Sequence, residues 1–207
     1  MNSIINSSYF TELAEQKPTD ICRRAACSYD SAEKVYSAAF WTDSYLINPE
    51  KQTITGINTS FKPVHDYFYL FIIYYLLKAK EVNLNGEWIS EKDFPGGSTF
   101  FRGPHDIPTD LICSRFNNDI SAFKKRCGQL QGRDVDMGDA AFIFEITPRI
   151  PVIVLYWMGD EDFSPEAKIL FDRSIIEHLS LDIIFALVVE ICTRIGRDIT
   201  RLDDNGR

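Results

Sequence analysis

The stretch that decides the fold is GDAAFIFEITPRIPVIVLYWMGD, residues 138–160. It contains two apolar runs separated by Pro148 and Arg149, and both runs are rich in β-branched and aromatic residues. Two such runs joined by a short turn are typical of a β-hairpin. Because proline cannot donate a hydrogen bond to a neighbouring strand, we expect Pro151 at the start of a strand or at a sheet edge.

The segments around this hairpin indicate a further set of strands and several helices. KVYSAAFWTDSYLINPEKQTITG, residues 34–56, is broken by turn residues and predicts a meander of two or three short antiparallel strands. Apolar spacing and N-terminal capping residues predict helices over 3–16, 18–29, 63–80, 109–127 and 179–199. A further helix is predicted for SPEAKILFD, with Ser164 as N-cap and Pro165 at the first helical position.

Strand meanders mixed with helices predict the α+β class, in which an antiparallel sheet, formed by the meander and the hairpin, packs against helices in a single domain. The helix over 63–80 is apolar nearly all round, so it should be sandwiched between other elements. We expect a helical N-terminal segment at 1–30, one α+β domain at 31–200 and a frayed tail at 201–207.

Composition narrows the classes of partner. The 207 residues carry a net charge of -8, which disfavours binding to nucleic acid or to an anionic membrane surface. The strongest apolar run, residues 67–77, is about half of what a membrane-spanning helix needs, and no signal peptide is recognisable. Five cysteines without a C-x-x-C pair favour reduced thiols, so the expected location is the cytoplasm.

The loop FPGGSTFFRGPHDIP, residues 94–108, is the first candidate for a ligand site. Its glycines permit an irregular path and its prolines stiffen it, while its three phenylalanines are expected to anchor it to the core. Arg102 and His105 would then be polar groups on a rigid support, as a ligand site requires. The alternative is a purely structural loop.

A second candidate is the acidic run Asp160, Glu161 and Asp162, which directly follows the hairpin. Such a run can supply oxygen ligands to a hard cation, or can raise the pKa of one carboxyl group for acid or base catalysis. The alternative is a solvated turn whose acids complement the dipole of a following helix. No EF-hand spacing supports calcium.

Polar residues on the apolar last helix form a third candidate. Asp182 and Glu190 should either meet a basic group such as Arg149, giving an internal ion pair, or line a cavity together with His178. The three histidines lack H-E-x-x-H spacing, and no nucleophile elbow of the G-x-S-x-G type is present. We therefore predict no resident metal and assign no catalytic residue.

Several short motifs, read in order, resemble a bacterial and archaeal family catalogued as domain of unknown function 3786. They are NGEWIS, FPGG, GDAAFIF, PRIP, YWMGDEDF and ILFDRSIIEHLSLD, within about residues 30–195. The family is common in anaerobes, and some members occur beside iron–sulfur modules, which implies a role near low-potential redox or corrinoid chemistry. This chain lacks a four-cysteine cluster motif, so it should not hold such a cluster itself.

Taken together, these features predict a domain that binds a small molecule or cofactor of unknown identity, in anaerobic redox or corrinoid-linked metabolism. The pocket is expected between the 94–108 loop, the strand ending at Trp157 and the acids after it. The candidate ligand-binding residues are Arg102, His105, Arg149, Trp157, Asp160 and Glu161. One alternative is a metal-assisted hydrolase or lyase that uses His105 and residues 160–162. Another is an interaction module that docks to a redox protein through aromatic residues within 67–75 or at Phe100 and Phe101.

Overall fold

The computed structural model describes residues 5–57 and 66–197. Within these ranges the helices are α1 (Ser7–Glu15), α2 (Pro18–Ala25), α3 (Tyr67–Lys78), α4 (Gly97–Phe100), α5 (Asp110–Phe116), α6 (Ile120–Gln129), α7 (Ile175–His178) and α8 (Leu181–Gly196). The strands are β1 (Ser28–Asp30), β2 (Val35–Phe40), β3 (Asp43–Asn48), β4 (Thr53–Ile57), β5 (Trp88–Ile89), β6 (Arg133–Val135), β7 (Ala140–Thr147), β8 (Ile150–Trp157) and β9 (Glu166–Asp172).

The predicted meander forms a sheet of its own, in the order β1-β2-β3-β4 with antiparallel neighbours. Tyr36, Phe40 and Tyr45 are buried on its inner face, because alternate residues of a strand point to the same side. The helix predicted over 18–29 ends at Ala25, since Ala26 adopts a left-handed conformation with φ 52° and β1 begins soon after it.

The predicted hairpin is the centre of a second antiparallel sheet, in the order β5-β9-β8-β7-β6. β7 and β8 are joined by Pro148 and Arg149, which confirms the turn. Pro151 is the second residue of β8 and lies before the pairing with β9 begins at Val152, so its missing N–H leaves no gap in the sheet.

The helix predicted for SPEAKILFD is wrong, because this segment forms strand β9. Ala167, Ile169 and Phe171 are all buried, a period of two that a strand satisfies and a helix does not. Pairing with β8 along Val152–Trp157 therefore overrides the capping signal of Ser164 and Pro165. The acids at 160–162 accordingly connect two strands and do not precede a helix.

The helix predicted over 109–127 is divided into α5 and α6. Asn117 adopts φ 47°, a value that a helix interior does not allow, and Asp119 then caps α6 by accepting a hydrogen bond from the backbone N–H of Ala122 (2.9 Å). The break lets the two short helices pack against different parts of the large sheet, α5 on β9 and α6 on β7.

Helix α3 lies at the centre of the core, as its apolar composition predicts. Its Phe71 and Tyr75 rings contact Phe40 of the small sheet edge to face, with centroids 5.8 and 5.7 Å apart. α8 and α1 also pack against it. Of the aromatic side chains within residues 67–75, Phe68, Phe71 and Tyr75 are buried and the other three are half-buried, so docking through this segment stays a prediction. Of the other two predicted docking residues, Phe101 is buried and Phe100 is half-buried.

These elements confirm the α+β class, with antiparallel sheets packed against helices. One continuous core cluster includes residues of the N-terminal helices, both sheets and α8. Across residues 5–57 and 66–197, no helix is long and apolar enough to cross a membrane. The domain boundaries at 30, 31 and 200 remain predictions, and the 201–207 tail and residues 63–65 of the predicted central helix lie outside the described residues.

Candidate functional site

The 94–108 loop is anchored by its aromatic residues, as predicted. Phe94 and Phe101 are buried, and Phe94 packs on Phe171 of β9 with ring centroids 5.3 Å apart. Gly96 has φ 76°, and Gly97 has no room for a side chain because an added Cβ would lie 1.9 Å from the carbonyl oxygen of Glu91. The glycines are therefore required for the path of this loop.

The two polar residues of this loop that were predicted to bind a ligand lie on its surface. Arg102 is exposed. His105 is also exposed, and its ring stacks on Phe100 (centroids 4.6 Å apart, planes at 13°) and meets the edge of Phe185 at 5.2 Å. The imidazole thus helps to attach the loop to α8 by ring contacts.

A groove of about 330 Å³ separates this loop from β9. It is lined by Glu91, Lys92, Phe101, Asp106, Ile107, Thr109 and residues 166–169. Glu166 pairs with Trp157 across the two strands, so the groove ends near the acidic turn. The lining of this groove does not include Arg102 or His105, and it does not include the acids at 160–162.

The acidic run folds into a tight surface turn. Asp160 Oδ1 accepts hydrogen bonds from the backbone N–H groups of Asp162 (2.9 Å) and Phe163 (2.8 Å), so this carboxylate shapes its own loop. Asn118 fixes the preceding Gly159 by a pair of hydrogen bonds of 2.8 and 3.1 Å. Asp160, Glu161 and Asp162 are all exposed.

Arg149 lies in the β7–β8 turn, apart from both of these features. Its guanidinium donates to the carbonyl oxygens of Val82 (3.2 Å) and Arg23 (3.1 Å) and so ties the turn to two other segments. The structure therefore distributes the six predicted residues over three places: Arg102 and His105 on the loop, Trp157, Asp160 and Glu161 near the end of β8, and Arg149 at its start.

Glu190 does form an internal ion pair, as predicted, but with Arg194 and not with Arg149. Arg194 Nε lies 2.6 Å from Glu190 Oε1, and its Nη1 lies 3.2 Å from Asp43 Oδ2, with all three side chains fully buried. The guanidinium also faces the ring of Trp41 at 5.1 Å. Burial alone would lower the pKa of Arg194, but the two carboxylates outweigh it and raise that pKa. Asp182 is exposed.

The outer face of the large sheet is a site that the sequence analysis missed. Ala141, Ile153 and Leu155 are buried there, surrounded by half-buried residues that include Trp88 and Trp157. All members of this cluster belong to the strands or to the β6–β7 connection, and within the described chain no helix residue joins it. The sequence of β8 could have indicated this apolar face, because its residues are apolar on both faces of the strand. In a strand that is covered on one face only, apolar and polar residues should alternate.

At the Trp88 end of this outer face lies a groove of about 350 Å³, which we call the sheet-face groove. Its lining residues are Leu84, Gly86, Trp88, Gln131, Arg133, Ile143, Glu145, Pro148, Pro151 and Asp172. An indole and aliphatic side chains thus form the walls, with an amide, a guanidinium and carboxylates at the rim. This combination of apolar area and a few polar groups is typical of small-molecule sites.

Asp172 holds one wall of the sheet-face groove in place. Its carboxylate accepts hydrogen bonds from the backbone N–H groups of Asn85 (2.9 Å) and Gly86 (2.7 Å) and from the Ser174 hydroxyl (2.6 Å). Burial raises the pKa of Asp172, but these donors together outweigh burial and lower it, so the carboxylate stays ionised. Gly86, with φ 78°, provides the left-handed turn that brings this loop to the carboxylate.

Metal-ligating side chains are not grouped in the part of the chain that the structure describes. No set of three or more His, Cys, Asp and Glu residues there has an arrangement that could hold a metal ion. The five cysteines are free thiols, and Cys127 and Cys192 are fully buried.

Within residues 5–57 and 66–197 the fold is an α+β domain whose large antiparallel sheet packs against helices on one face, while no helix residue joins the apolar cluster of its other face, where the sheet-face groove lies. The chain belongs to the family described as Domain of unknown function (DUF3786), whose model matches residues 17–194. This match confirms the resemblance carried by the short motifs. No curated protein and no solved structure shows a significant match to the chain.

Proposed function

We propose that this chain is a ligand-binding domain that holds a small organic molecule or cofactor in the sheet-face groove, within anaerobic redox or corrinoid-linked metabolism. The observation that carries the proposal is the groove of about 350 Å³ with an indole wall and charged groups at its rim. The metabolic setting is supported by the family resemblance, whose members occur beside iron–sulfur modules.

The lining of the groove favours a ligand with a flat apolar part and a polar edge. Trp88, Ile143 and Pro151 offer a surface against which a planar ring can pack. Arg133 and Glu145 at the rim are exposed and of opposite charge, so they can orient an anionic or an amide-bearing edge. A volume near the lower end of the usual range favours one fused ring system over a complete tetrapyrrole.

The test is a thermal unfolding series with free flavins, nucleotides and corrinoids, combined with quenching of tryptophan fluorescence. A ligand at ten times its Kd should raise Tm by about 3 to 6 °C. Arg133→Ala, an exposed change of small structural cost, should weaken that ligand about tenfold by removing a charge-assisted contact. A series in which none of these compounds moves Tm would contradict the proposal.

The matched control uses the predicted loop site. Arg102→Ala removes a guanidinium that is also exposed, from the 94–108 loop, and should leave the affinity unchanged. If Arg102→Ala abolishes binding while Arg133→Ala has no effect, the ligand lies at the surface of the 94–108 loop, as predicted for Arg102 and His105, and not at the sheet face.

A docking function for a redox protein is a second candidate, favoured by one observation. Phe163 is 74% exposed and directly follows the acidic run, so an apolar anchor is surrounded by negative charge. A redox partner with a basic surface would complement it. Phe163→Ser should then weaken binding to a redox protein with a basic surface by about tenfold, measured by titration at low salt, and an unchanged affinity would exclude this surface.

A further inference from the structure

Two of the three partly accessible cysteines lie together at the end of helix α2. Cys22 is in the second half of α2, and Cys27 follows the helix directly before β1. Both side chains are half-buried, whereas Cys127 and Cys192 are fully buried. A reagent in solution can therefore reach this pair, which is not part of the lining of the sheet-face groove.

The backbone brings the two cysteines into close approach. Ala26, between the helix and Cys27, adopts φ 52° and ψ 49°, which turns the chain back on the helix. The backbone N–H of Cys27 then donates to the carbonyl oxygen of Cys22 (3.1 Å). A bond of this kind ends many helices and brings the side chains of its first and last residues into contact. With the covalent bonds on either side, it limits the two Cα atoms to a separation of less than about 7 Å, within reach of a disulfide.

The two thiol groups also interact directly. They form a side-chain hydrogen bond with each other, so their sulfur atoms are neighbours. Burial, followed by the charge of Cys22, raises the pKa of Cys27 to about 12, and Arg24 offsets part of this rise. Cys27 therefore keeps its proton at neutral pH and can donate it to the Cys22 sulfur.

A positive charge is held beside the thiols. The half-buried guanidinium of Arg24 donates to the carbonyl oxygens of Leu77 (2.9 Å) and Ala79 (3.0 Å), so the end of α3 sets its position. Its charge acts on Cys27. A guanidinium in this place stabilises the thiolates that form and leave during thiol–disulfide exchange.

Two thiols are too few for a metal site. A structural zinc site has four protein ligands, and a catalytic one has three. Within residues 5–57 and 66–197, no third His, Cys, Asp or Glu forms a metal-binding group with the two cysteines. Formation and reduction of a disulfide is a reaction that a pair of neighbouring thiols can perform without a third ligand.

We propose that Cys22 and Cys27 form a redox-active dithiol, which a low-molecular-weight or protein disulfide oxidises reversibly to an internal disulfide. This site is separate from the sheet-face groove and does not depend on the function proposed for it.

The reaction consists of two exchange steps. The Cys22 thiolate attacks one sulfur of the external disulfide, which forms a mixed disulfide and releases the first external thiolate. Cys27 then loses its proton and attacks the Cys22 sulfur, which forms the internal bond and releases the second external thiolate. The two cysteines lose two electrons and two protons, and the external disulfide becomes two thiols. Once Cys22 is in the mixed disulfide, its charge no longer raises the pKa of Cys27.

The experiment equilibrates the folded protein, without oxygen, with mixtures of reduced and oxidised glutathione, and then blocks the free thiols. Trypsin cleaves after Arg23 and after Arg24, so Cys22 and Cys27 end on separate peptides that stay linked only through a disulfide. Mass spectrometry counts the linked peptides. Cys127 and Cys192 report whether the protein stays folded, because they are buried and should resist a maleimide.

The dependence on reduced glutathione identifies an internal disulfide. At constant oxidised glutathione, a tenfold rise in reduced glutathione should lower the ratio of linked to free pair about 100-fold, because two glutathiones are released for each internal bond. In Cys22→Ser and Cys27→Ser the linked peptides should disappear. The remaining cysteine should carry glutathione, with a ratio that falls only about tenfold over the same rise.

Cys113→Ser is the matched control. Cys113 is also half-buried, but it lies on α5 and accepts or donates at the backbone of Ala167. This variant should leave the yield of the linked peptides unchanged.

The proposal is overturned if the linked peptides are absent at the highest share of oxidised glutathione, or if they form only when Cys127 and Cys192 also become reactive. It is equally overturned if both cysteines of the unchanged protein carry glutathione and their ratio falls only about tenfold. Linkage of the folded protein with the 100-fold dependence supports it.

Discussion

The positive charge of Arg194 lies in the interior of the protein, where two carboxylates stabilise it. Glu190 and Asp43 balance it, and the Trp41 and Phe68 rings face the guanidinium at 5.1 and 5.0 Å. Removing the central charge of such a network leaves the remaining charges buried without compensation, which costs more than the pair itself contributes.

We therefore expect Arg194→Met to lower the free energy of unfolding by about 3–5 kcal/mol, measured by urea denaturation at pH 7. The exposed pair of Lys34 and Glu50, with nitrogen and oxygen 2.5 Å apart, provides the control. Lys34→Met should give no resolvable change, because solvent screens that pair. Equal losses in both variants would show that the Arg194 network is not the source of the effect.

His178 should make stability depend on pH between about 4 and 6.5. Its pKa is about 4 when folded, as a result of burial and of Arg149, and returns to 6.5 on unfolding. The unfolded chain therefore takes up the proton first, so stability is complete above pH 6.5 and decreases as the pH falls towards 4.

The decrease should reach at most about 3 kcal/mol, measured by urea denaturation from pH 7.5 to pH 4. His178→Asn removes the titrating group and should flatten the curve over this interval. A variant that loses stability with the same slope as the unchanged protein would assign the pH dependence to the carboxylates.

At the scale of elements, the path of the 94–108 loop depends on glycine for a steric reason. An added Cβ at Gly97 would lie 1.9 Å from Glu91 O, whereas one at Gly128 within α6 meets nothing within 4 Å. Gly97→Ala should therefore lower the free energy of unfolding by about 1–3 kcal/mol. Gly128→Ala should raise it by about 0.5–1 kcal/mol, because alanine favours a helix. Chemical denaturation of the two variants checks both signs, and a stabilised Gly97→Ala would contradict the steric argument.

Local sequence predicted most elements but not all of them. The hairpin and meander were predictable because their turn residues and apolar runs coincide. Ser164 and Pro165 led to the wrong prediction of a helix. The segment forms strand β9 because it pairs with β8, a tertiary contact that local sequence does not show. The separation into two sheets, with the order β5-β9-β8-β7-β6, depends on such pairings as well.

The sites were less predictable than the fold. The sequence indicated polar groups on the 94–108 loop, and the structure places Arg102 and His105 on its surface. It gave no sign that Trp88 lines the same groove as Ile143 and Pro151, because these residues meet only through the register of four strands. The pairing of Glu190 with Arg194, and not with Arg149, depends on atomic positions, which residue patterns do not specify.

On the scale of the whole molecule, the buried thiols report on the integrity of the common core. Cys127 of α6 and Cys192 of α8 are both 0% exposed, whereas Cys22, Cys27 and Cys113 are partly accessible. We expect a maleimide to label at most the latter three in the native protein, and all five in urea, as counted by mass spectrometry. Cys127 and Cys192 should become reactive with the same urea midpoint if 31–200 is one cooperative domain. Two different urea midpoints would show that residues 31–200 unfold as more than one unit.

The large sheet ends on one side in a two-residue strand, Trp88–Ile89, and on the other in a three-residue strand that begins with Arg133 and Asp134. The longer strands β7 and β8 therefore lie inside the sheet, and the two edge strands themselves offer few backbone groups to a second molecule for strand addition. Edge-to-edge association through β7 and β8, the most apolar strands of this sheet, is therefore disfavoured.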